Sequence, residues 1–106
     1  MTTAALRRAL ARMVALLEDE RAALAGLQLN QILSCAQNKA ALCDALTSCE
    51  AALLDEECRA LLDTASRLNA TNRKMRNLMA FSVQSRLAAL GGTGDTYTGQ
   101  AIPYRR

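Results

Sequence analysis

The feature that most constrains this chain is the spacing of its large apolar residues near the N-terminus. Leu6, Leu10, Met13, Leu17, Leu24 and Leu27 follow a four–three rhythm, with Glu20 the one charged interruption. Residues three and four apart share one face of a helix, so this rhythm predicts an amphipathic helix with a narrow apolar seam of the kind that packs against another helix. Thr2 or Thr3 is placed to cap it, because a hydroxyl there accepts a backbone N–H that the first turn leaves unpaired. The sequence around Ala25-Gly26-Leu27 weakens the pattern. Gly26 either ends the helix, with Asn30 capping the next one, or marks a kink.

From Gln31 the seam resumes as Ile32, Ala36, Ala40 (or Lys39), Cys43, Leu46 and Leu53, widened by Leu33, Leu42 and Cys49. The next boundary falls near the acidic triplet Asp55-Glu56-Glu57, which suits the positive end of a helix dipole. Asp55–Arg59 and Asp63–Arg67 then stand as acid-to-base pairs four residues apart in the favourable orientation. A third helix runs through Leu61, Ala65, Leu68, Met75, Leu78, Met79, Val83 and Leu87 to Leu90, and Gly91-Gly92 ends it. It is about 36 residues, or roughly 54 Å, against about 24 residues and roughly 36 Å for each of the first two. A helix that much longer than its neighbours cannot bury its whole stripe among them, so part of the stripe is left for a partner or a second copy of the chain.

The expected fold is therefore all-α: an antiparallel three-helix up-down hairpin or bundle over residues 1–90 with a long third helix, and a flexible C-terminal tail over 91–106. The length of 106 residues suits one domain. Composition agrees with the spacing, since the apolar share is carried mostly by Ala and Leu, β-branched residues are sparse, and Phe81, Tyr97 and Tyr104 are the aromatics. The tail, GGTGDTYTGQAIPYRR, lacks apolar periodicity and holds the one proline. Tyr97, Ile102 and Tyr104 in it are either accidental or short anchoring points.

Several function classes drop out. The chain has no histidine, so the most versatile acid–base group and metal ligand is missing, and the carboxylates sit where ion pairing explains them. No catalytic residues, cofactor site or metal site are expected. Cys35, Cys43, Cys49 and Cys58 form no CxxC pair and read as small buried hydrophobes in a reducing cytoplasm. A net charge of +3 is too small to call for a polyanion. The polar stretch Asn69–Asn77, with Arg73 and Arg76 on one face, lacks interleaved aromatics and a second reading helix, which argues against nucleic acid. No stretch is apolar enough for membrane insertion: Ala22–Asn38 is uncharged but broken by Gly26, Gln28, Asn30, Gln31 and Gln37. Arg7, Arg8 and Arg12 with no acid before Glu18 mimic a transit peptide, yet the apolar rhythm continues past Glu18 without a break.

Asn72 falls where a strict seam places an apolar residue; it either fixes register between helices or faces solvent. The charges are also sorted. Residues 41–63 carry Asp44, Glu50, Asp55, Glu56, Glu57 and Asp63 against a single Arg59, and residues 64–90 carry Arg67, Arg73, Lys74, Arg76 and Arg86 with no acid. The two blocks either face each other across a hairpin or leave the basic one for a partner.

Four segments carry a family resemblance: Gln37-Asn38-Lys39-Ala40-Ala41-Leu42, Leu68-Asn69-Ala70-Thr71-Asn72-Arg73-Lys74-Met75, Arg86-Leu87-Ala88-Ala89-Leu90 and Gly94-Asp95-Thr96-Tyr97. In this order the chain resembles the short, alphaproteobacterial type of the FlgN family of flagellar export chaperones. The cysteines and Asn30-Gln31 depart from that pattern. The resemblance implies a cytoplasmic chaperone that holds the C-terminal helical segments of hook-associated proteins at the hook–filament junction and delivers them to the type III export gate. The candidate partner-binding residues are Leu68, Asn72, Met75, Leu78, Met79, Val83, Leu87 and Tyr97. A self-associating structural helical protein, such as a coiled-coil homodimer without cargo, is the alternative.

Overall fold

The computed structural model describes residues 2–91. Among them are three α-helices and no strand: α1 (Thr3–Ala25), α2 (Leu29–Leu46) and α3 (Glu56–Gly91), with a single 3-10 turn at Ala51–Leu53 before α3. The tail expected over 91–106, Tyr97 included, lies outside the described residues apart from Gly91. No helix among them is long and apolar enough to cross a membrane. The chain divides into two units, Met1–Lys74 and Met75–Arg106.

In the first unit each helix boundary has a local cause. The Thr2 hydroxyl accepts the Ala5 N–H at 3.0 Å and starts α1. At the other end, Gln28 N–H bonds to Ala23 C=O at 2.9 Å and Leu27 N–H to Leu24 C=O at 3.2 Å, the Schellman closure. That closure needs one residue in the left-handed region, and it is Leu27, at φ 54°, rather than the glycine before it. Gly26 has φ −92°, a conformation open to any residue. Leu27 therefore leaves the seam and is 70% exposed.

The backbone of α2 begins at Leu29, so Asn30 lies within its first turn rather than capping it. At the C-terminus of α2, Thr47 Oγ1 donates to Asp44 C=O at 2.7 Å and Ser48 Oγ to Ala45 C=O at 3.2 Å. Hydroxyls thus satisfy carbonyls that a helix end leaves open, and α2 stops without Gly or Pro. The chain then turns through residues 47–55, and Thr3 Oγ1 donates to Leu53 C=O at 3.2 Å to hold that turn against the start of α1. Asp55 starts α3. Its Oδ1 accepts the Cys58 N–H at 2.8 Å, which uses the carboxylate expected to pair with Arg59. The Asp63–Arg67 pair does form, at 3.1 Å on the surface.

The core of this unit lies along α1, which buries Leu6, Ala9, Leu10, Met13, Leu17, Glu20, Ala23 and Leu24. One cluster joins Ala9, Met13 and Leu17 to Leu42 and Ala65; the other joins Leu6 and Leu10 to Cys58. Each fully buried leucine contributes about 1.5–3 kcal/mol. The first part of α3 buries Cys58, Ala65 and Asn72, spaced by seven. The buried face of α2 is turned one residue from the expected one. Cys35 and Leu42 are buried and Ile32, Lys39 and Leu46 half-buried, whereas Ala36, Ala40 and Cys43 are exposed. Cys43 is thus not the buried hydrophobe the sequence suggested.

Candidate partner-binding face

Two arrangements carry chemistry: a buried polar cluster in the first unit and an exposed apolar stripe in the second.

The cluster begins at the charged interruption of the α1 seam. Glu20 occupies the position where the rhythm calls for an apolar side chain, and it is 2% exposed. Burial of a lone carboxylate is expensive unless charge and hydrogen bonds compensate it. Two groups do so. Lys39 of α2 brings Nζ to 3.3 Å from Oε1 and 3.2 Å from Oε2, and Asn72 of α3 donates Nδ2 to Oε1 at 2.8 Å. Asn72 also donates Nδ2 to the Leu17 carbonyl at 2.9 Å and is 0% exposed. Lys39 reaches on to Asn69 Oδ1 at 3.1 Å. This explains the turn of α2: the lysine stem lies over the seam while its ammonium meets Glu20. The Asn72 Oδ1 is buried and has no hydrogen-bond partner among the described residues. The structure thus selects the register role for Asn72 and removes it from the surface.

Beside this cluster, Asp19 and Asn38 border two shallow grooves between α1 and α2. One, about 440 Å³, is lined by Arg12, Ala15, Leu16, Asp19, Asn38, Ala41, Leu42 and Ala45. The other, about 350 Å³, shares Leu16, Asp19 and Asn38 and adds Ala22, Gln31, Ser34 and Cys35. Burial pushes the Cys35 thiol above its usual range, with the Asp19 and Glu20 carboxylates acting in the same direction. Burial likewise raises Cys58, where the Asp55 side chain adds to the effect. Neither thiol is set up as a nucleophile. No group of His, Cys, Asp or Glu among the described residues is arranged to hold a metal ion.

The predicted site residues separate accordingly. Leu68 packs half-buried against the Ala65 cluster of the first unit, and Asn72 is sealed inside it. In the second unit Met75 and Met79 are half-buried, whereas Leu78, Val83 and Leu87 are more than half exposed. Two exposed residues were missed: Phe81, more than half exposed, and Leu90, 85% exposed. At 3.6 residues per turn, Met75, Met79, Val83 and Leu90 fall within an arc of about 80°. Leu87 borders that arc and Leu78 lies off its other side. Phe81 points the opposite way, so spacing gave no signal for it. Comparison with family models, with curated proteins and with solved structures finds no match.

Proposed function

We propose that this chain is a helical protein-binding protein, and that its partner is an amphipathic helical segment laid along the stripe of Met75, Met79, Val83, Leu87 and Leu90. The observation that carries the reading is the exposure of Val83, Leu87 and Leu90 within about 60° of one another on one helix. Large apolar side chains grouped in this way mark interaction surfaces more often than scattered ones do. Methionine adds adaptable contact surface, which suits a partner that binds and leaves.

The resemblance to FlgN-type chaperones gives this reading its biological form: a cytoplasmic, non-enzymatic flagellar type III export chaperone. Its cargo is then the C-terminal helices of hook-associated proteins, delivered to the export gate. The clusters that join Leu42 to Met13 and Leu17, and Cys58 to Leu6 and Leu10, fit an antiparallel up-down-up arrangement of the helices. A segment that folds only on binding gives up part of its interaction energy in ordering, and so remains releasable.

Peptides from the C-terminal segments of hook–filament junction proteins test the reading by calorimetry. One-to-one binding that is lost in Val83→Asp and Leu87→Asp, with helicity retained, supports it. Equal binding by the variants removes this face. Concentration-dependent self-association that the same substitutions abolish favours the structural homodimer.

A further inference from the structure

We infer that the partner of this face is a helix that carries a carboxylate within its own apolar seam, opposite Arg86. The inference rests on the stripe being the binding face, and it names what the stripe selects. Arg86 lies seven residues beyond Met79, inside the arc shared by Met75, Met79, Val83 and Leu90. It is exposed and makes no hydrogen bond or ion pair among the described residues. A partner that covers the stripe with apolar side chains alone strips water from the guanidinium and returns nothing, which is costly. A partner with a carboxylate at the facing position returns a charge-assisted, bidentate hydrogen bond.

The charge on α3 points the same way. From Met75 to Gly91 the helix carries Arg76 and Arg86 and no acid. Self-pairing of this face, in either direction, therefore offers Arg86 no carboxylate, so the occupant is not a second copy of the face. The molecule already uses the complementary chemistry once: the α1 seam carries Glu20, met by Lys39 and Asn72. An apolar seam interrupted by one acid, set against a helix that supplies a cation or an amide, is thus a pairing this chain builds internally.

The test uses the full chain and two designed helical peptides of about three heptads, with leucine at the seam positions. One carries a central seam glutamate, its twin a lysine at that position. The glutamate peptide is expected to bind the wild type about tenfold or more tightly than its twin. Arg86→Glu should reverse that order, and Arg86→Gln should flatten it. Val83→Asp should abolish binding of both peptides. Circular dichroism establishes that each variant keeps its helicity. Equal binding of the two peptides to the wild type, with Val83→Asp still inactive, overturns the inference and leaves the face standing. A glutamate preference that survives Arg86→Glu overturns it as well. Failure of both peptides to bind, or binding that Val83→Asp leaves unchanged, overturns the inference and the face together. Self-association of the wild type through the stripe, read by sedimentation, also overturns it.

Discussion

Asn72 Nδ2 lies 2.8 Å from Glu20 Oε1, a hydrogen bond between side chains 52 residues apart that are both sealed from solvent. Lys39 completes the set from α2, so each of the three helices contributes one polar group at one level of the first unit. A leucine seam alone tolerates slippage by a heptad, because one leucine layer resembles the next. A buried acid that must meet one amide and one ammonium does not.

Removing one member should therefore hurt more than removing all three together. Asn72→Leu takes a donor from a buried carboxylate and should cost roughly 2–3 kcal/mol in urea denaturation. Lys39→Met leaves that carboxylate without its ammonium and should cost about 3 kcal/mol or more. Glu20→Leu combined with Asn72→Leu and Lys39→Met should recover most of the loss. If the single and combined losses simply add, the cluster is not a coupled unit.

The Schellman closure of α1 places its strain on Leu27, not on Gly26. Leu27→Gly should stabilise the protein by roughly 0.5–1 kcal/mol, since glycine takes a positive φ without steric cost. Gly26→Ala should be neutral or slightly stabilising. Its added methyl would meet Ala22 O at 3.4 Å, an ordinary contact, and the unfolded chain would lose freedom. Denaturant midpoints of the two variants check this, and the opposite order would contradict the assignment.

The four thiols should differ in reactivity. Cys43 is exposed, Cys49 is intermediate, and Cys35 and Cys58 are buried with their ionisation held back. Disulfide-reagent titration of the native protein should modify Cys43 first and Cys49 more slowly. Cys35 and Cys58 should react at the rate of opening, and all four together in denaturant. Peptide mapping after partial labelling identifies the order.

Asp55 should give stability a measurable acid dependence. The backbone N–H of Cys58, and then its side chain, hold the Asp55 carboxyl below the ordinary value of 3.8. A group whose value is lowered by folding contributes stability above its unfolded value, and loses it as pH falls through the folded one. Asn also caps helices, so Asp55→Asn isolates the charge. The difference in thermal midpoint between wild type and Asp55→Asn should be constant from pH 5 to pH 7, shrink below pH 3.8 and vanish in stronger acid. A constant difference throughout would mean that the carboxylate charge is not involved.

Much of this protein was legible in the sequence by itself. The four–three rhythm of Leu6, Leu10, Met13, Leu17 and Leu24 is the buried seam of α1, and the acidic triplet and Gly91 bracket an α3 of the expected length. Periodicity encodes which residues share a face, and Ala and Leu supply the helical propensity, so both are local properties. What the tertiary structure decided were the places where a residue's role depends on a distant one. The spacing puts Ile32, Leu42 and Leu46 on the inner side of α2 but leaves Ala40 and Lys39 as alternatives, and it includes Ala36 and Cys43, because a lysine on a seam looks like a surface residue until Glu20, on another helix, calls for its charge. It left Asn72 between core and solvent for the same reason: an amide is buried or exposed according to whether a carbonyl and a carboxylate wait for it. Leu27 left the seam because the closing hydrogen bonds, not the glycine, chose which residue turns left-handed. Spacing can place side chains on one side of a helix, but the partner that makes a polar one tolerable inside is found only when the helices meet.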